Sequence, residues 1–412
     1  AQCLSRRVIS FIVFADFFFT FFVVLLSYYA IIDFHTGRGC FMRIGTLKEI
    51  KCHEYRVGLT PDCVASYVRR GNTNMDETGA GAAAGFSDEE YRAAGATVAP
   101  DRRRIAETCD MIVKVKEPLP EEYDLFRPGQ ILYTYLHLAA ARELTDALLA
   151  KKVRAVAYET IEKDNGTLPC LRPMSEIAGR LAVQEGAKYL EKTFGGRGVL
   201  LAGVPGVSRG RVTVIGAGVV GANACKIAIG MGADVTVLDI NPDRLAYLDD
   251  IFNTSLTTLY NNDSNLARAL AEADVVIGAV LVPGAKAPRI VTRAHLGLMK
   301  KGAVIVDVAV DQGGCVETTH PTTHDDPVYM VDGVVHYCVA NMPGAVALTS
   351  TRALTSTTLP YGLLIAEKGL EEAARQTPAL ARGLNVFDGR CVYEHVANAF
   401  GLPYTPVREA LG

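Results

Sequence analysis

The sequence predicts an α/β protein of two domains, each a doubly wound and mostly parallel sheet, with a cleft between them. From residue 42 onward, short apolar segments rich in β-branched residues alternate with amphipathic segments of helical period. A chain of 412 residues also exceeds what one hydrophobic core usually serves. A glycine-rich turn between a predicted strand and a predicted helix lies near the middle of the chain, which is typical of a parallel sheet.

The first part of the chain repeats short strands and helices. MRIGTL and MIVKVKE are predicted strands, PDCVASYVRRG is a predicted helix closed by Gly71, and SDEEYRAAGA is a predicted capped helix. QILYTYLHL is the next predicted strand, followed by the helix LTDALLAKK and the strand RAVAYET. SEIAGRLAVQEGAKYLEKTF is a long helix with Ser175 as its predicted N-cap, and we expect it to cross into the second domain.

Residues 211–239 have the pattern of a strand, a glycine turn, a helix and a second strand. Gly216 permits the tight turn, Gly218 lets a pyrophosphate approach the backbone, and Gly221 lets the helix lie close on the strand. The amides at the start of that helix attract phosphates. Asp239 ends the second strand, where a carboxylate accepts hydrogen bonds from an adenosine ribose and repels a 2′-phosphate. The stretch therefore predicts a Rossmann NAD-binding domain that favours NAD over NADP.

The segments after Asp239 continue the same sheet. DRLAYLDDIF is a predicted helix, NLARALAEADVVIGAV a helix and a strand, and AVIVDVAV a further strand. The chain from TSTRALTSTTLPYGLL onward is predicted to be helical and to pack on the first domain. We therefore predict a substrate and catalytic domain over residues 42–170 and 348–412, and an NAD-binding domain over residues 171–347.

Charge and cysteine content narrow the class of partner. The net charge is −3 without a basic stripe, which argues against nucleic acid and favours small-molecule chemistry. The ten cysteines are scattered without a CxxC pair, which is typical of free thiols in a reducing compartment. Cys315, His320 and His324 lie close in sequence, but their spacing around Pro321 matches no ligand template, so we predict no metal.

Residues 1–41 differ in character from the rest. VISFIVFADFFFTFFVVLLSYYAII, residues 8–32, is almost wholly apolar and long enough to span a bilayer. Ala30 follows two tyrosines rather than small residues, which disfavours a cleaved signal peptide. Met42 begins MRIGTLKEIK, which is typical of the start of a cytoplasmic enzyme. Two interpretations stay open: a single-pass membrane anchor, or a non-native leader on a cytoplasmic protein.

Four polar residues are candidates for a site in the cleft, because ligands of doubly wound sheets bind beyond the carboxyl ends of the strands. His137 ends ILYTYLHL and could transfer protons near neutral pH, or be a core histidine. Asp311 ends AVIVDVAVD, where the alternative is a helix-capping carboxylate. Lys116 and Arg56 could bind a small carboxylate, Arg56 through two hydrogen bonds, or be ordinary surface charges.

The sequence resembles the alanine dehydrogenase family over nearly all of residues 42–412. The similar motifs, in order, are KEIKCHEYRVGLTP, VKVKEPLPEEYDLFRPGQILYTYLHLAA, PMSEIAGRLAVQEGAKYL, GGRGVLLAGVPGV, IGAGVVG, VIGAVLVPGAKAP, VDVAVDQGGC and YCVANMPGAV. The resemblance implies two domains, a homo-hexamer, and the reversible conversion of L-alanine, water and NAD to pyruvate, ammonium and NADH.

The resemblance also implies roles for matching residues. Arg56 and Lys116 would hold the substrate carboxylate and polarise its carbonyl. His137 would be the acid and base, and Asp311 would orient the water and the amine. The residues implied in NAD binding, which include the three glycines of the turn, are Ser175, Gly216, Gly218, Gly221, Asp239, Arg244 and Asn341.

Departures from the family pattern leave these catalytic groups in place. GNTNMDETGAG is more polar than the family's strand there, so we expect a distorted sheet edge, and Asn261 stands where the family often has a serine near the adenosine. Two other functions stay open. One is the nucleotide-binding subunit of a proton-translocating transhydrogenase, expected to carry further transmembrane helices. The other is an inactive, membrane-tethered NAD-binding module, and turnover of alanine separates both from the enzyme.

A chain shortened to begin at Met42 is expected to be soluble and fully active, because every candidate site residue lies beyond residue 41. The measurement is alanine-dependent reduction of NAD, compared with that of the full chain at equal protein concentration. Aggregation or lost activity of the shortened chain would show that the apolar segment contributes to the enzyme.

Overall fold

The computed structural model describes residues 41–280 and 287–412, and its strands form one sheet of 8 strands and another of 7. The predicted α/β class, with two mostly parallel sheets, is confirmed. The apolar segment at residues 8–32 lies outside the described residues. Among the residues described, no helix combines the length and the apolar character that a membrane crossing requires.

The strands are numbered along the chain. They are β1 Arg43–Thr46, β2 Thr73–Glu77, β3 Thr97–Ala99, β4 Met111–Val113, β5 Ile131–Thr134, β6 Arg154–Ala157, β7 Arg211–Ile215, β8 Asp234–Asp239, β9 Leu256–Tyr260, β10 Val275–Gly278, β11 Val304–Asp307, β12 Val328–Val331, β13 Val334–Tyr337, β14 Leu384–Phe387 and β15 Arg390–Cys391.

The described α-helices are numbered in the same way. They are α1 Pro61–Val68, α2 Asp88–Ala93, α3 Arg102–Thr108, α4 Arg142–Ala150, α5 Arg172–Tyr189, α6 Val219–Gly230, α7 Pro242–Phe252, α8 Asp263–Glu272, α9 Arg293–Leu296, α10 Ala347–Lys368, α11 Leu370–Gln376, α12 Pro378–Gly383, α13 Glu394–Phe400 and α14 Val407–Leu411.

The first sheet has the order β15-β14-β6-β5-β4-β1-β2-β3. Its neighbours pair in parallel, except that β14 runs antiparallel to both β6 and β15. The tail was predicted to be helical, so these last two strands correct the prediction. Leu384–Phe387 is buried along its whole length, and Asp388 and Gly389 both have positive φ, as a tight hairpin turn requires.

The second sheet has the order β12-β13-β11-β10-β7-β8-β9, parallel except for β12. Strand β7 comes first in the chain, with β8 on one side and β10 on the other. The strand order therefore reverses at β7, and the glycine turn that follows it lies at this switch point. Ligands of such sheets bind at the switch point, beyond the carboxyl ends of the strands.

Two elements around the site begin or end differently from the prediction. Helix α5 starts at Arg172 with Leu171 as its N-cap, so Ser175 lies within the first turn and is not the cap. Pro173 explains the earlier start, because a first-turn proline needs no hydrogen-bond partner for its nitrogen. Strand β11 ends at Asp307, whose carboxylate accepts a hydrogen bond from the Ala309 amide at 3.0 Å. Asp311 therefore lies in the 3₁₀ turn Val308–Gln312 rather than at the strand end.

Two long helices join the sheets. Helix α5 packs on β10 and β11 of the second sheet and against α10, and α10 in turn packs against α1 on the first sheet. One continuous cluster of buried hydrophobic side chains includes residues from both sheets and from both helices. The same pair of helices therefore connects the two sheets.

The polar strand β2 pairs in regular register with β1 on one side and β3 on the other, so the expected distortion is not found. Its polar side chains Asn74 and Asp76 are instead buried. Asn74 and Asp76 are almost fully enclosed beside Thr46 of β1, and none of the three side chains has a partner in good hydrogen-bond geometry. Burial raises the pKa of Asp76 to about 7, although Thr46 and Asn74 lie close enough to lower it in part.

Substitution Asp76→Asn is expected to flatten the dependence of stability on pH. The folded pKa of Asp76, about 7, lies above the ordinary value of 3.8. Its contribution to stability is therefore fully present below pH 3.8 and is lost as the pH rises from 3.8 to about 7. The slope of the unfolding free energy against pH should decrease in the variant by up to about 1.4 kcal/mol per pH unit. Urea unfolding between these limits measures it, with the exposed Asp263→Asn as control. Equal slopes in the Asp76 variant and the parent would contradict this reasoning.

Candidate functional site

The glycine turn after β7 is built from close backbone contacts. Gly216 has φ +104, and a Cβ at Gly221 would lie 1.8 Å from the Gly216 carbonyl oxygen, so a side chain there would prevent α6 from starting at this place. Gly218 is the N-cap of α6, and a Cβ there would meet nothing within 4 Å. The turn thus presents open space and free helix-start amides, which fits a dinucleotide pyrophosphate.

Helix α5 braces this turn from the side. A Cβ at Gly179 would lie 2.1 Å from the carbonyl oxygen of Val220, so glycine allows α5 and α6 to touch backbone to backbone. Ser175 lies four residues before Gly179 on α5, and residues at this spacing share one helix face. Ser175 is therefore on the face of α5 that is turned toward the glycine turn.

Asp239 and Arg244 both hold the Ala217 peptide inside the turn. The Ala217 amide donates to Asp239 Oδ2 at 2.5 Å. Arg244 donates from Nε and Nη2 to the Ala217 carbonyl oxygen at 3.0 and 2.8 Å, while its guanidinium lies over the ring of Tyr247. Two residues implied in cofactor binding thus also fix the backbone that would face the cofactor.

Arg56 lies on the other side of the cleft and is 2% exposed. Glu54 accepts hydrogen bonds from its Nε at 2.7 Å and its Nη2 at 2.5 Å. Burial alone would lower the pKa of Arg56, but the hydrogen bonds and charge of Glu54 outweigh it and raise that pKa. The guanidinium is therefore a fixed positive charge, and Glu54 is its buried counter-ion.

Asn341 connects this ion pair to the second sheet. Its Oδ1 accepts from Arg56 Nη2 at 2.8 Å, and its Nδ2 donates to Glu54 Oε2 at 3.0 Å. Its backbone amide donates to Asp311 Oδ2 at 3.3 Å, and its φ of 60 places it in the left-handed region. The resemblance implies that Asn341 binds the cofactor, and in the structure Asn341 lies with the substrate candidates Arg56 and Asp311.

Lys116 is partly buried and lies near Arg56. Burial lowers the pKa of Lys116, and the charge of Arg56 lowers it further. Within residues 41–280 and 287–412, the Lys116 ammonium has no hydrogen bond or ion pair with the protein. Such a cation is available to an anionic group entering the cleft.

His137 follows β5 in an unusual backbone conformation, with φ 50. Its amide donates to Glu159 Oε1 at 2.6 Å, and its Nδ1 lies 3.9 Å from the same oxygen. The ring is parallel to that of Tyr135, with centroids 5.9 Å apart. The side chain is 48% exposed, so His137 is not the core histidine that was the alternative interpretation.

The site residues form two groups. Arg56, Asn341 and Asp311 are linked by hydrogen bonds, with Lys116 beside Arg56. The ring of His137 is parallel to that of Tyr135, and Tyr135 lies near Arg56. The second group surrounds Ala217 and consists of the three glycines, Asp239 and Arg244. Ser175 on α5 lies toward this second group.

Sequence reasoning missed two glutamates of the site. Glu159 follows the buried strand β6, so the rule that located His137 would also have located it. Glu54 precedes Arg56 by two residues in a loop, where an acid usually faces solvent. Its burial against Arg56 follows only from the packing of the two sheets.

The three residues considered for a metal have separate partners. Cys315 is buried with its Sγ 3.5 Å from Asp307 Oδ1, His320 stacks on Tyr329, and His324 lies edge-on to His53. In the described part of the chain, no three ligand side chains are grouped as a metal ion requires. The eight described cysteines are all free, as predicted, and Cys52 is the exposed one.

Comparison with known families agrees with both halves of the chain. The family model for the N-terminal domain of alanine dehydrogenase/PNT matches residues 45–178, and the model for the C-terminal domain matches residues 182–394. The alanine dehydrogenase of Bacillus subtilis is 56% identical over 371 residues, which is 90% of this chain and 98% of the relative. That of Methanococcus maripaludis is 55% identical over 90% of this chain and 100% of its own length.

Solved structures give the same result. An L-alanine dehydrogenase matches with a TM-score of 0.85 and 54% identity, covering 87% of this chain and 99% of its own. A transhydrogenase from Sinorhizobium meliloti matches less closely, with a TM-score of 0.73 and 25% identity over 85% of this chain and 99% of its own. The chain belongs to the alanine dehydrogenase family and is an NAD-dependent oxidoreductase.

Proposed function

We propose that Arg56, Asn341, Asp311, Lys116 and His137, here called the substrate group, perform the reaction of this family, the reversible NAD-dependent oxidative deamination of L-alanine to pyruvate and ammonium. The residues that carry the chemistry are Arg56, Lys116, His137 and Asp311. The observation that supports this most is the chain of hydrogen bonds from Arg56 through Asn341 to Asp311, since it ties a cation in the loop after β1 to a carboxylate in the turn after β11.

Arg56 and Lys116 bind the substrate carboxylate and carbonyl. Glu54 and Asn341 accept hydrogen bonds from Nε and Nη2 of Arg56, whereas Nη1 donates to the Met174 thioether at 3.0 Å. Because sulfur is a weak acceptor, a carboxylate oxygen readily replaces it. Lys116 supplies the second positive charge, and the two cations hold the substrate in one orientation.

His137 transfers protons, and Asp311 orients the groups that react. When bound, NAD accepts hydride from the substrate α-carbon. The amine must be neutral before hydride leaves, so His137 first accepts a proton, and the nearby Glu159 carboxylate stabilises the resulting imidazolium. Water then adds to the substrate iminium and ammonia departs. Asp311, held by the Asn341 amide, orients this water and the amine.

NAD binding is assigned to the other group. The helix-start amides at Gly218 take the pyrophosphate, and Asp239 takes the adenosine ribose. Ser175 and Arg244 complete these contacts, together with Gly216 and Gly221, and Asn341 approaches the cofactor from the group of Arg56 and Asp311. We place the substrate domain at residues 42–170 and 348–412 and the NAD-binding domain at residues 171–347. Sheet membership supports this division, because β14 and β15 join the first sheet.

We also propose a cytoplasmic homo-hexamer. Three apolar side chains of the turn between α5 and β7, Leu200, Val204 and Val207, are strongly exposed, which fits a contact between subunits. The transhydrogenase-type subunit and the inactive membrane-tethered module are less consistent with the site. Neither function requires residues for amino-acid chemistry, such as Arg56, Lys116, His137 and Asp311.

NAD is expected to be strongly preferred over NADP, because the Asp239 carboxylate repels a 2′-phosphate. The measurement is kcat/KM with each cofactor. Asp239→Asn keeps an acceptor for the Ala217 amide but removes the charge, so the preference should fall about tenfold. Comparable kcat/KM values for the two cofactors in the unaltered enzyme would refute the role of Asp239.

His137→Ala is expected to lower kcat about a hundred- to ten-thousandfold, the usual contribution of a positioned acid or base. Its affinity for NADH, measured by fluorescence titration, should stay close to normal, and pyruvate should still saturate it through Arg56 and Lys116. Near-normal turnover would show that His137 does not transfer the proton.

Asp311→Asn is expected to be damaging by itself, and its combination with His137→Ala gives a sharper test. Residues that serve one reaction step do not act independently, so the double variant should lose much less than the product of the two single losses. Steady-state kcat of the four proteins measures this. Losses that simply multiply would mean that the two residues have separate roles.

A further inference from the structure

Glu49 contacts the three consecutive residues that follow strand β4, Lys114, Val115 and Lys116. It lies in the loop after β1, and its side chain is 2% exposed. Its Oε1 accepts from the amide of Val115 at 2.6 Å and from that of Lys116 at 3.3 Å. Its Oε2 accepts from Lys114 Nζ at 3.1 Å. One buried carboxylate therefore binds the backbone and side chains of the segment that carries the substrate cation.

Lys114 is the internal counterpart of this carboxylate. Its side chain is fully buried, and its Nζ donates to Glu122 Oε1 at 3.0 Å as well as to Glu49. Burial alone would lower the pKa of Lys114, but the charges of Glu49 and Glu122 outweigh it and raise that pKa. Glu122 also accepts from the Leu119 amide at 3.1 Å. The Lys114 ammonium therefore stays charged and holds Glu49 and Glu122 together.

The chain has to bend between the two lysines. Residues two apart in a continuing strand face the same side, yet Lys114 is enclosed between glutamates while Lys116 lies near Arg56. The strand ends at Val113, and the backbone bends at Val115 and Lys116. Both amides of the bend donate to the same oxygen of Glu49. The carboxylate thus holds the backbone conformation in which Lys116 lies near Arg56.

We propose that Glu49 is a positioning residue for the substrate, acting through Lys116. This rests on the proposed role of Lys116 in binding the substrate carboxylate and carbonyl. A small displacement of a substrate-binding cation is felt in the reaction, because binding energy depends on correct placement. Glu49 does not touch the substrate, and its effect is transmitted by two backbone hydrogen bonds.

The first test compares Glu49→Leu with Glu49→Gln. Both remove the charge and leave Lys114 paired with Glu122, but only glutamine keeps an oxygen that accepts from the two amides. Glu49→Leu is expected to raise KM for pyruvate about tenfold, as the loss of one to two buried hydrogen bonds would. Glu49→Gln should stay within about threefold of the unaltered enzyme. Equal KM values for the two variants would overturn the proposal.

Matched measurements separate positioning from general damage. The dissociation constant of NADH, measured by fluorescence, should be unchanged in Glu49→Leu because Glu49 follows β1 of the first sheet, whereas the glycine turn follows β7 of the second. Asp274→Asn alters a buried carboxylate that pairs with Arg197 and Lys300 in the second sheet, and it should lower thermal stability without raising KM for pyruvate. If Glu49→Leu does not fold, Glu49→Asp replaces it, because its shorter side chain keeps the charge but cannot reach both amides and Lys114.

The decisive test repeats the comparison in a Lys116→Ala background. If Glu49 acts through Lys116, Glu49→Leu should change kcat/KM for pyruvate less than twofold once Lys116 is absent, since coupled residues are not additive. The same tenfold loss in both backgrounds would overturn the proposal. If Lys116→Ala alone leaves kcat/KM for pyruvate normal, the proposed role of Lys116 fails. A damaging Lys116→Ala with a harmless Glu49→Leu would refute only the inference about Glu49.

Discussion

The buried pair of Arg56 and Glu54 is the interaction on which the cleft depends. A guanidinium enclosed in the protein is costly unless its charge and donors are matched, and Glu54 matches both through two hydrogen bonds. Asn341 completes the set by donating to Glu54 and accepting from Arg56. Because Asn341 lies shortly after β13 of the second sheet and Arg56 lies after β1 of the first, these hydrogen bonds connect the loops of the two sheets. Arg56 therefore connects the two halves of the molecule.

The two sides of the cleft are ordered by different physical means. Around the glycine turn, the absence of side chains allows backbones to touch, as Gly221 and Gly179 show. Around the substrate group, buried charges are held by opposite charges, and Lys114 lies between two glutamates. A backbone cradle suits a large cofactor whose phosphates need many amides. Fixed ion pairs suit a small substrate that must be held in one orientation.

Local patterns predicted the fold and the cofactor turn, because strand periodicity and glycine spacing are properties of neighbouring residues. Element ends were less predictable. Asp307, not Asp311, ends its strand because its side chain captures the Ala309 amide, and nothing in the apolar pattern marks that choice. The counter-ions Glu54 and Glu49 were missed for another reason. Their partners are set by tertiary packing, and a glutamate in a loop resembles a solvated charge until that packing is known.

The charges of the cleft also explain which ligand it suits. Arg56 is neutralised by Glu54, so this pair adds direction rather than net charge to the cleft. Lys116 remains as a cation without a protein partner among the described residues, and Asp311 is an exposed carboxylate held through the Asn341 amide. A ligand that satisfies both must carry an anionic and a cationic end a short distance apart. An α-amino acid has this distribution of charge, and pyruvate with ammonium divides it between two molecules. With the roles proposed for Lys116 and Asp311, the same arrangement serves both directions of the reaction.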